Sequence, residues 1–157
     1  MTGCSHVAQN LDLVRSVYET QYRQDLDGFT GDFHPQIEWR FAVSFIYGEV
    51  NPIIGHDNVR AGSLRRLAGE WINFDGELAE LLDAGDEIVG LGHYVGTNKA
   101  TGRKLRAQFA HFWTVKDGKI VRWRQYTDTL QLAQVAGLRS LRERIQQSEP
   151  RFPSSIA

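Results

Sequence analysis

The sequence predicts an α+β fold in which a strongly curved antiparallel sheet wraps around helices from the N-terminal part of the chain. Two observations predict it. The first part of the chain has apolar residues at helical spacing, as at Val14, Val17 and Tyr18. The second part is a series of strand-like segments separated by turn signals such as Asp117-Gly118. Helices followed by a run of strands are typical of α+β domains.

Size, charge and cysteine content exclude several classes of partner. The 157 residues favour one domain, and the net charge of −1 offers nothing to attract nucleic acid or an anionic membrane. No apolar run approaches the ~20 residues of a membrane span. Cys4 is the only cysteine, so no intrachain disulfide can form. We therefore expect a cytoplasmic protein without nucleic-acid or membrane partners.

The helices of the first part begin and end at local signals. Residues 1–10 are polar and lack the apolar core of a signal peptide, so we interpret them as a mobile end. Asn10 is predicted to cap the first helix, which runs to about Arg23. A second short helix spans about Leu26–Phe33 and stops because Pro35 disfavours helical geometry just before it.

A strand, a loop and a third helix are predicted next. Residues 37–49 are rich in β-branched and aromatic side chains, which favours a strand. Residues 50–58 are interpreted as a loop. Asp57 or Asn58 is predicted to cap a helix over residues 59–71.

Four strands and a closing helix complete the predicted domain. The strands are residues 72–83, 87–98, 104–115 and 120–128, and the turns between them are 84–86, 99–103 and 116–119. Residues 129–137 predict a helix with Gly137 as its stop. We interpret residues 10–137 as a single domain and residues 138–157 as a C-terminal helical extension and loose tail.

Three segments carry a resemblance to a known superfamily. They are YRQDLDGFTGDFHPQIEW (22–39), PIIGHDNVRAGSLRRL (52–67) and FAHFWTVKDGKIVRWRQYTDT (109–129). Over roughly residues 10–137 the chain resembles the nuclear transport factor 2-like superfamily, in its SnoaL-like and ketosteroid isomerase-related branch. The resemblance implies a cone-shaped, cystatin-like sheet with a pocket. Such folds host isomerases, cyclases, dehydratases, epoxide hydrolases and binding modules, so the function must be argued from the site.

Strand geometry predicts which side chains line that pocket. A turn centred on Asp117-Gly118 places His111 opposite Arg124, and side chains alternate between the two faces of a strand. A turn centred near Ala100-Thr101 pairs the preceding strand, residues 87–98, with residues 104–115 and adds its side chains to the predicted face. The face predicted in this way holds Ala107, Phe109, His111, Trp113 and Val115, with Arg122, Arg124, Tyr126, Asp128, Val89, Leu91, His93 and Val95. A mostly apolar wall with a few polar groups is typical of a small-molecule site.

Asp128 and His111 are the first candidate catalytic residues. Asp128 precedes the closing helix and can simply cap it, whereas the resemblance implies the acid–base Asp of polyketide cyclases. His111 matches a position where related enzymes contact a carbonyl or enolate oxygen, and a buried core histidine is the alternative. We interpret Arg122 and Arg124 as pairing with carboxylates or facing solvent.

Tyr18 is the third candidate, because the resemblance implies an oxyanion donor on the first helix. Tyr22 stands one helical turn later, on the same face, and core packing is the alternative for both. The candidate substrate-binding residues are His93, Tyr22, Trp39, Phe41, Leu91, Phe109, Trp113 and Tyr126.

Two departures from the superfamily exclude specific activities. Trp39 stands near the position where the steroid isomerase carries its general-base Asp, and Glu38 should point to the opposite face. The Arg-x-Asp pattern of the epoxide hydrolases is not matched in residues 103–113. Metal, phosphate-loop and dinucleotide patterns are not recognisable either, and we expect no cofactor.

The sequence therefore indicates two functions. One is an enzyme that transfers a proton within a hydrophobic carbonyl compound, by polyketide cyclase-like aldol or isomerase/lyase-type chemistry. The alternative is a non-catalytic module of the same fold that binds a small ligand or dimerises. A homodimer is expected in either case, partly by analogy, through a sheet surface predicted to carry Arg106, Gln108, Thr127, Ala110, Phe112 and Trp123.

Overall fold

The computed structural model of the chain describes residues 3–22 and 25–138, with side chains described at 8–20 and 25–138. Five α-helices and one π-helical turn lie in these ranges. They are α1 (Gly3–Tyr22), α2 (Leu26–Thr30), α3 (His56–Val59), the π turn (Arg60–Leu64), α4 (Arg65–Glu70) and α5 (Thr129–Val135). Within these ranges, the helices are each too short or too polar to cross a membrane.

The described strands form one curved, open sheet, and the predicted α+β class is confirmed. The strands are β1 (Phe33–Arg40), β2 (Ile53–Ile54), β3 (Trp71–Asp83), β4 (Glu87–Asn98), β5 (Lys104–Lys116) and β6 (Lys119–Thr127). Their order across the sheet is β2-β1-β6-β5-β4-β3. The pair β1–β6 is parallel and the other pairs are antiparallel. A parallel pair needs a long connection, which the residues between β1 and β6 provide.

The hairpin between β5 and β6 sets the register of the sheet's centre. Asp117 and Gly118 both have positive φ, at 50° and 71°, as a tight two-residue hairpin turn requires. An irregularity between Thr114 and Val115 then shifts the pairing by one residue, as β-bulges do. His111 consequently lies opposite Gln125 instead of the predicted Arg124.

Helix α1 lies close to the backbone of β4 at a glycine. A Cβ added at Gly90 would stand 2.2 Å from the hydroxyl oxygen of Tyr18, so only a residue without a side chain fits there. Val14, Val17 and Tyr18 of α1 are buried, as the apolar spacing predicts. Burying each Val contributes roughly 1.5–3 kcal/mol, which holds the helix against the sheet.

The first helix is longer than predicted. It begins at Gly3, so Asn10 lies inside the helix and does not cap it, and residues 3–9 are helical where a mobile end was predicted. The second helix ends at Thr30, and β1 already begins at Phe33 and stops at Arg40. The strand prediction for residues 37–49 is therefore displaced towards the N-terminus, with residues 41–47 outside the sheet.

The third helical segment also differs in detail. It begins at His56 after Gly55, and neither Asp57 nor Asn58 caps it. The π turn interrupts its middle, and Ser63 on that turn is buried. Strand β2 forms inside the predicted loop, where Ile53 pairs with Trp39.

Helix α5 ends the described part of the chain. The carboxylate of Asp128 caps it by accepting a hydrogen bond from the backbone N–H of Gln131 at 3.0 Å. Gly137 follows with φ at 74°, which confirms the predicted stop. The predicted extension and tail after Leu138 lie outside the described residues.

Candidate functional site

The inner face of the sheet carries a small set of polar side chains among aromatic rings. Along β5 the inward positions are buried, including Phe109, His111 and Trp113. The bulge turns Trp123 and Gln125 of β6 towards the same side. Tyr94 of β4 completes this face, so three neighbouring strands converge on the imidazole of His111.

A continuous chain of buried hydrogen bonds runs through His111. Its Nδ1 lies 2.9 Å from the hydroxyl oxygen of Tyr18, and its Nε2 lies 2.6 Å from that of Tyr94. The indole N–H of Trp113 donates to the Tyr18 hydroxyl at 2.9 Å, and the Gln125 amide donates to the Tyr94 hydroxyl at 2.7 Å. We call the series Tyr18–His111–Tyr94 the relay.

Burial keeps every group of the relay neutral. Desolvation lowers the pKa of His111 well below its usual value, because a charged imidazole would be deprived of water. Desolvation likewise raises the pKa of the Tyr18 and Tyr94 hydroxyls. The ring of Phe109 is stacked on the imidazole, with centroids 3.9 Å apart and planes at 4°, and supplies part of this apolar environment.

A neutral imidazole carries one ring proton, so the relay has two proton arrangements. With the proton on Nε2, His111 donates to Tyr94 and accepts from Tyr18, and the Tyr94 O–H is free to donate elsewhere. With the proton on Nδ1, Tyr94 donates to His111. Both arrangements leave all three groups uncharged, and in the first one the Tyr94 O–H is available to a ligand.

Two neighbouring spaces lie on the inner side of the sheet, and the smaller one adjoins the relay. The inner chamber, with a volume of about 30 Å³, is lined by Tyr94, His111 and Gln125 and by Trp39, Ser63 and Trp123. The outer cleft, of about 610 Å³, opens between α2, the helical segment 56–70 and the start of β3. Both spaces are lined by Phe29, Leu64, Leu67 and Phe74, which lie between them, and we call these four residues the neck.

The dimensions suit a small ligand that enters from the outer cleft. Ligand sites usually measure roughly 300–1,000 Å³ and have mostly apolar walls, as the outer cleft has at Leu26, Phe29 and Trp71. The inner chamber has room for about one water-sized group. Among the described side chains, no cluster of three His, Cys, Asp or Glu could hold a metal ion.

Comparison with known proteins gives the family. The sequence pattern of the SnoaL-like domain matches residues 14–123. The chain belongs to the SnoaL-like family. No match was found among curated proteins.

Solved structures agree with this family. A nuclear transport factor 2-like protein from Burkholderia thailandensis is 35% identical, with a TM-score of 0.75 over 80% of this chain and 95% of that one. A second such protein, from Burkholderia pseudomallei, is 27% identical, with a TM-score of 0.74 over 82% and 97%. A protein described as a SnoaL-like polyketide cyclase from Jannaschia shares the fold at 14% identity, with a TM-score of 0.69 over 85% and 94%.

Several predicted site residues of this SnoaL-like protein do converge. His111 lines the inner chamber together with the predicted Trp39, Phe41 and Trp113. Tyr18 reaches the chamber's histidine through its hydrogen bond, and Phe109 stacks on that histidine. The side chain of Tyr22 lies outside the described residues.

Leu91 and His93 are placed on the outer face, which corrects the prediction. The β4–β5 register is the predicted one, with His93 opposite Gln108 and Leu91 opposite Ala110. Directly opposite residues point to the same side of a sheet. His93 therefore lies on the same face as the exposed Gln108 and on the opposite face from His111. Val89 and Val95 lie outside for the same reason.

The bulge corrects the prediction for β6 in the same way. Tyr126, predicted to bind substrate, is 54% exposed on the outer face. Arg122 and Arg124 also lie there and face Glu38 and Glu87 at 3.8 and 2.6 Å, which confirms their predicted pairing with carboxylates. Trp123, predicted for the outer surface, is buried inside.

Asp128 does not share a face with His111. Its backbone N–H donates to the carbonyl of Gln108 at 3.4 Å, and its carboxylate caps α5. It is not among the residues that line the inner chamber. Its observed contacts are those of a helix cap, one of the two roles that the sequence allows.

Tyr94, Gln125 and Ser63 are among the lining residues that the sequence did not predict. Tyr94 could have been predicted, because the β4–β5 register places it opposite Ala107, which lies on the inner face. Gln125 depends on the bulge, and Ser63 depends on the π turn. Neither irregularity has a signal in the sequence that we could identify.

Proposed function

We propose that this SnoaL-like protein binds a small hydrophobic carbonyl compound and transfers a proton within it. The ligand's apolar body would occupy the outer cleft, and its carbonyl oxygen would enter the inner chamber. The observation that supports this most is the relay, which connects a buried neutral histidine to a tyrosine hydroxyl at the chamber wall.

The relay would act on the carbonyl oxygen as that oxygen gains negative charge. Tyr94 would donate a hydrogen bond to that oxygen, His111 would donate one from Nε2–H to the Tyr94 oxygen, and Tyr18 would donate one to Nδ1, so that every O–H and N–H bond of the relay stays intact. A developing enolate is stabilised strongly here, because preoriented donors act at low dielectric. Loss of a proton from the carbon next to the carbonyl becomes easier, as cyclase-type aldol, isomerase and lyase steps all require.

The proton leaving carbon needs an acceptor. No carboxylate lines the inner chamber in the part of the chain that the structure describes, whereas Asp25 and Asp57 line the outer cleft. These two side chains are the carboxylates of the described cleft wall and are the candidates for that role, with the reacting carbon placed at the neck. General bases of this kind typically contribute about 10²- to 10⁴-fold in rate.

Binding without turnover is the second candidate function. The lack of a carboxylate in the described wall of the inner chamber favours it, since every titratable group there is held neutral. The same donors would then serve only to hold a carbonyl ligand.

One experiment separates the two functions. The protein is incubated with aromatic ketones and polyketide-type esters in deuterated water, and thermal stabilisation and deuterium incorporation next to the carbonyl are measured. Stabilisation with exchange that Tyr94→Phe abolishes supports catalysis. Stabilisation without exchange supports the binding function. No stabilisation by any compound contradicts both.

We further expect a homodimer in the cytoplasm. Leu91, Ala110 and Tyr126 lie side by side across three strands of the outer face, next to Phe112, and offer an apolar surface for a second copy. Light scattering at micromolar concentration should give twice the mass of 17.8 kDa. A monomer would refute this expectation.

A further inference from the structure

Three buried polar atoms at the inner chamber have no hydrogen-bond partner. They are Nε1 of Trp39, Oγ of Ser63 and Nε1 of Trp123, on residues that are 3%, 2% and 3% exposed. All three residues line the same chamber. Nearly all buried polar groups in proteins are satisfied, so three at one place require an explanation.

All three of these groups can donate a hydrogen bond. An indole N–H can only donate a hydrogen bond, and the Ser63 hydroxyl has a proton to donate. The one acceptor of the neighbouring Gln125 side chain already takes the backbone N–H of Ala42, at 3.3 Å. The chamber therefore offers unused donors, while its described acceptors are mostly engaged.

The described wall of the chamber carries no charge, which further limits the ligand groups that can bind there. His111 is neutral and no Lys, Arg, Asp or Glu lines the chamber. A carboxylate or ammonium group would lose its hydration there without gaining an opposite charge, which is costly. A hydroxyl would bring a proton of its own, and of the three unpartnered groups only Ser63 could accept it.

The π turn explains how Ser63 reaches this place. Its neighbours Arg60 and Ala61 line the outer cleft, Leu64 lines both spaces, and Ser63 lines the inner chamber. The wider π turn, from Arg60 to Leu64, thus presents side chains to both spaces from one short segment. Single π turns inside helices are frequent at functional sites.

We propose that Trp39, Ser63 and Trp123 are specificity-determining residues that select a neutral carbonyl oxygen over a hydroxyl or carboxylate group of similar size. This deepens the proposed function and depends on ligand entry through the outer cleft. It names the head group that the chamber accepts: an oxygen that only accepts hydrogen bonds, in a space for about one such atom.

The test uses three compounds that differ only in the head group. They are 2-acetylnaphthalene, 1-(2-naphthyl)ethanol and 2-naphthoate, and their affinities for the wild-type protein are measured by calorimetry. The ketone should bind at least about tenfold more tightly than the alcohol and the acid. Spectra of ¹⁵N-labelled indoles should show the Trp39 and Trp123 N–H signals moving with the ketone only.

Variants then identify the donors. Ser63→Ala, Trp39→Phe and Trp123→Phe should each lower the ketone affinity about fivefold and leave the alcohol affinity nearly unchanged. Trp71→Phe is the matched control, because that indole lines the outer cleft and already donates to Tyr47 at 2.7 Å. It should weaken both ligands alike.

The outcomes are distinct for the two proposals. The inference is overturned, and the proposed function left standing, if the ketone and the alcohol bind equally well, or if the three variants weaken the alcohol as much as they weaken the ketone. Binding of none of the compounds overturns both. Stability of the ligand-free protein gives a further check: Ser63→Ala should not lower the melting temperature, and a clear decrease would show that the hydroxyl is already partnered, which contradicts the inference.

Discussion

Nδ1 of His111 lies 2.9 Å from the hydroxyl oxygen of Tyr18, although the two residues are 93 positions apart in the chain. This contact joins helix α1 to the centre of the sheet. It also gives Tyr18 its second partner besides the indole of Trp113. The relay therefore depends on the docking of α1 as much as on the strands.

The pH dependence of stability should report the burial of His111. Desolvation holds its pKa well below the usual value of about 6.5. His111 therefore stays unprotonated in the folded state at pH values where it binds a proton in the unfolded chain. The unfolded chain thus binds more protons below pH ~6.5, and the free energy of unfolding falls as the pH decreases. The slope should approach about 1.4 kcal/mol per pH unit, measured by urea unfolding between pH 5 and 8.

His111→Gln should remove that part of the slope. His93→Gln is the matched control on the outer face of the neighbouring strand and should keep the wild-type slope. If the two variants behave alike, His111 is not responsible.

Tyr94→Phe should destabilise the protein while it disables the relay. The substitution leaves both His111 Nε2 and the Gln125 amide without a partner. Each unsatisfied buried group costs about 1–3 kcal/mol, which denaturant unfolding can measure. Tyr126→Phe removes the same hydroxyl from an exposed site and should stay within about 0.5 kcal/mol of wild type. Equal effects of the two would contradict the buried network.

Gly90→Ala should displace Tyr18. The added Cβ would stand 2.2 Å from the tyrosine oxygen, far inside contact distance, and overpacking of this kind costs about 1–3 kcal/mol. The rate of any proton exchange and the affinity for any ligand should decrease together with the stability. Gly69→Ala in α4 meets no atom within 4 Å and should be neutral or stabilising by up to about 1 kcal/mol. Thermal unfolding of both variants distinguishes the two sites.

Asp128 should act as a helix cap. Asp128→Ala should cost about 1 kcal/mol of stability, and Asp128→Asn should cost much less, because an amide oxygen can still accept from Gln131. Proton exchange should survive in Asp128→Asn. A loss of exchange by orders of magnitude in that variant, without loss of stability, would instead support the acid–base role that the resemblance implies.

Much of the fold could be predicted because its signals are local. Asp117-Gly118 fixes the last hairpin through its positive φ angles, and Gly137 stops α5 in the same way. The apolar stripe at Val14 and Val17 marks the buried side of α1. The start of that helix was misplaced, because a polar segment carries no strong local preference.

The sequence by itself determined the α+β class, the four long strands and the presence of a histidine among aromatic rings. Tertiary structure decided which polar groups meet it. Because of the bulge at Thr114–Val115, Trp123 and Gln125 point to the inner face, where Arg124 and Tyr126 were predicted. The π turn brings Ser63 to the inner chamber. A one-residue shift moves every later side chain of a strand to the opposite face, so a small irregularity without an identifiable signal in the sequence controls the chemistry of the whole site.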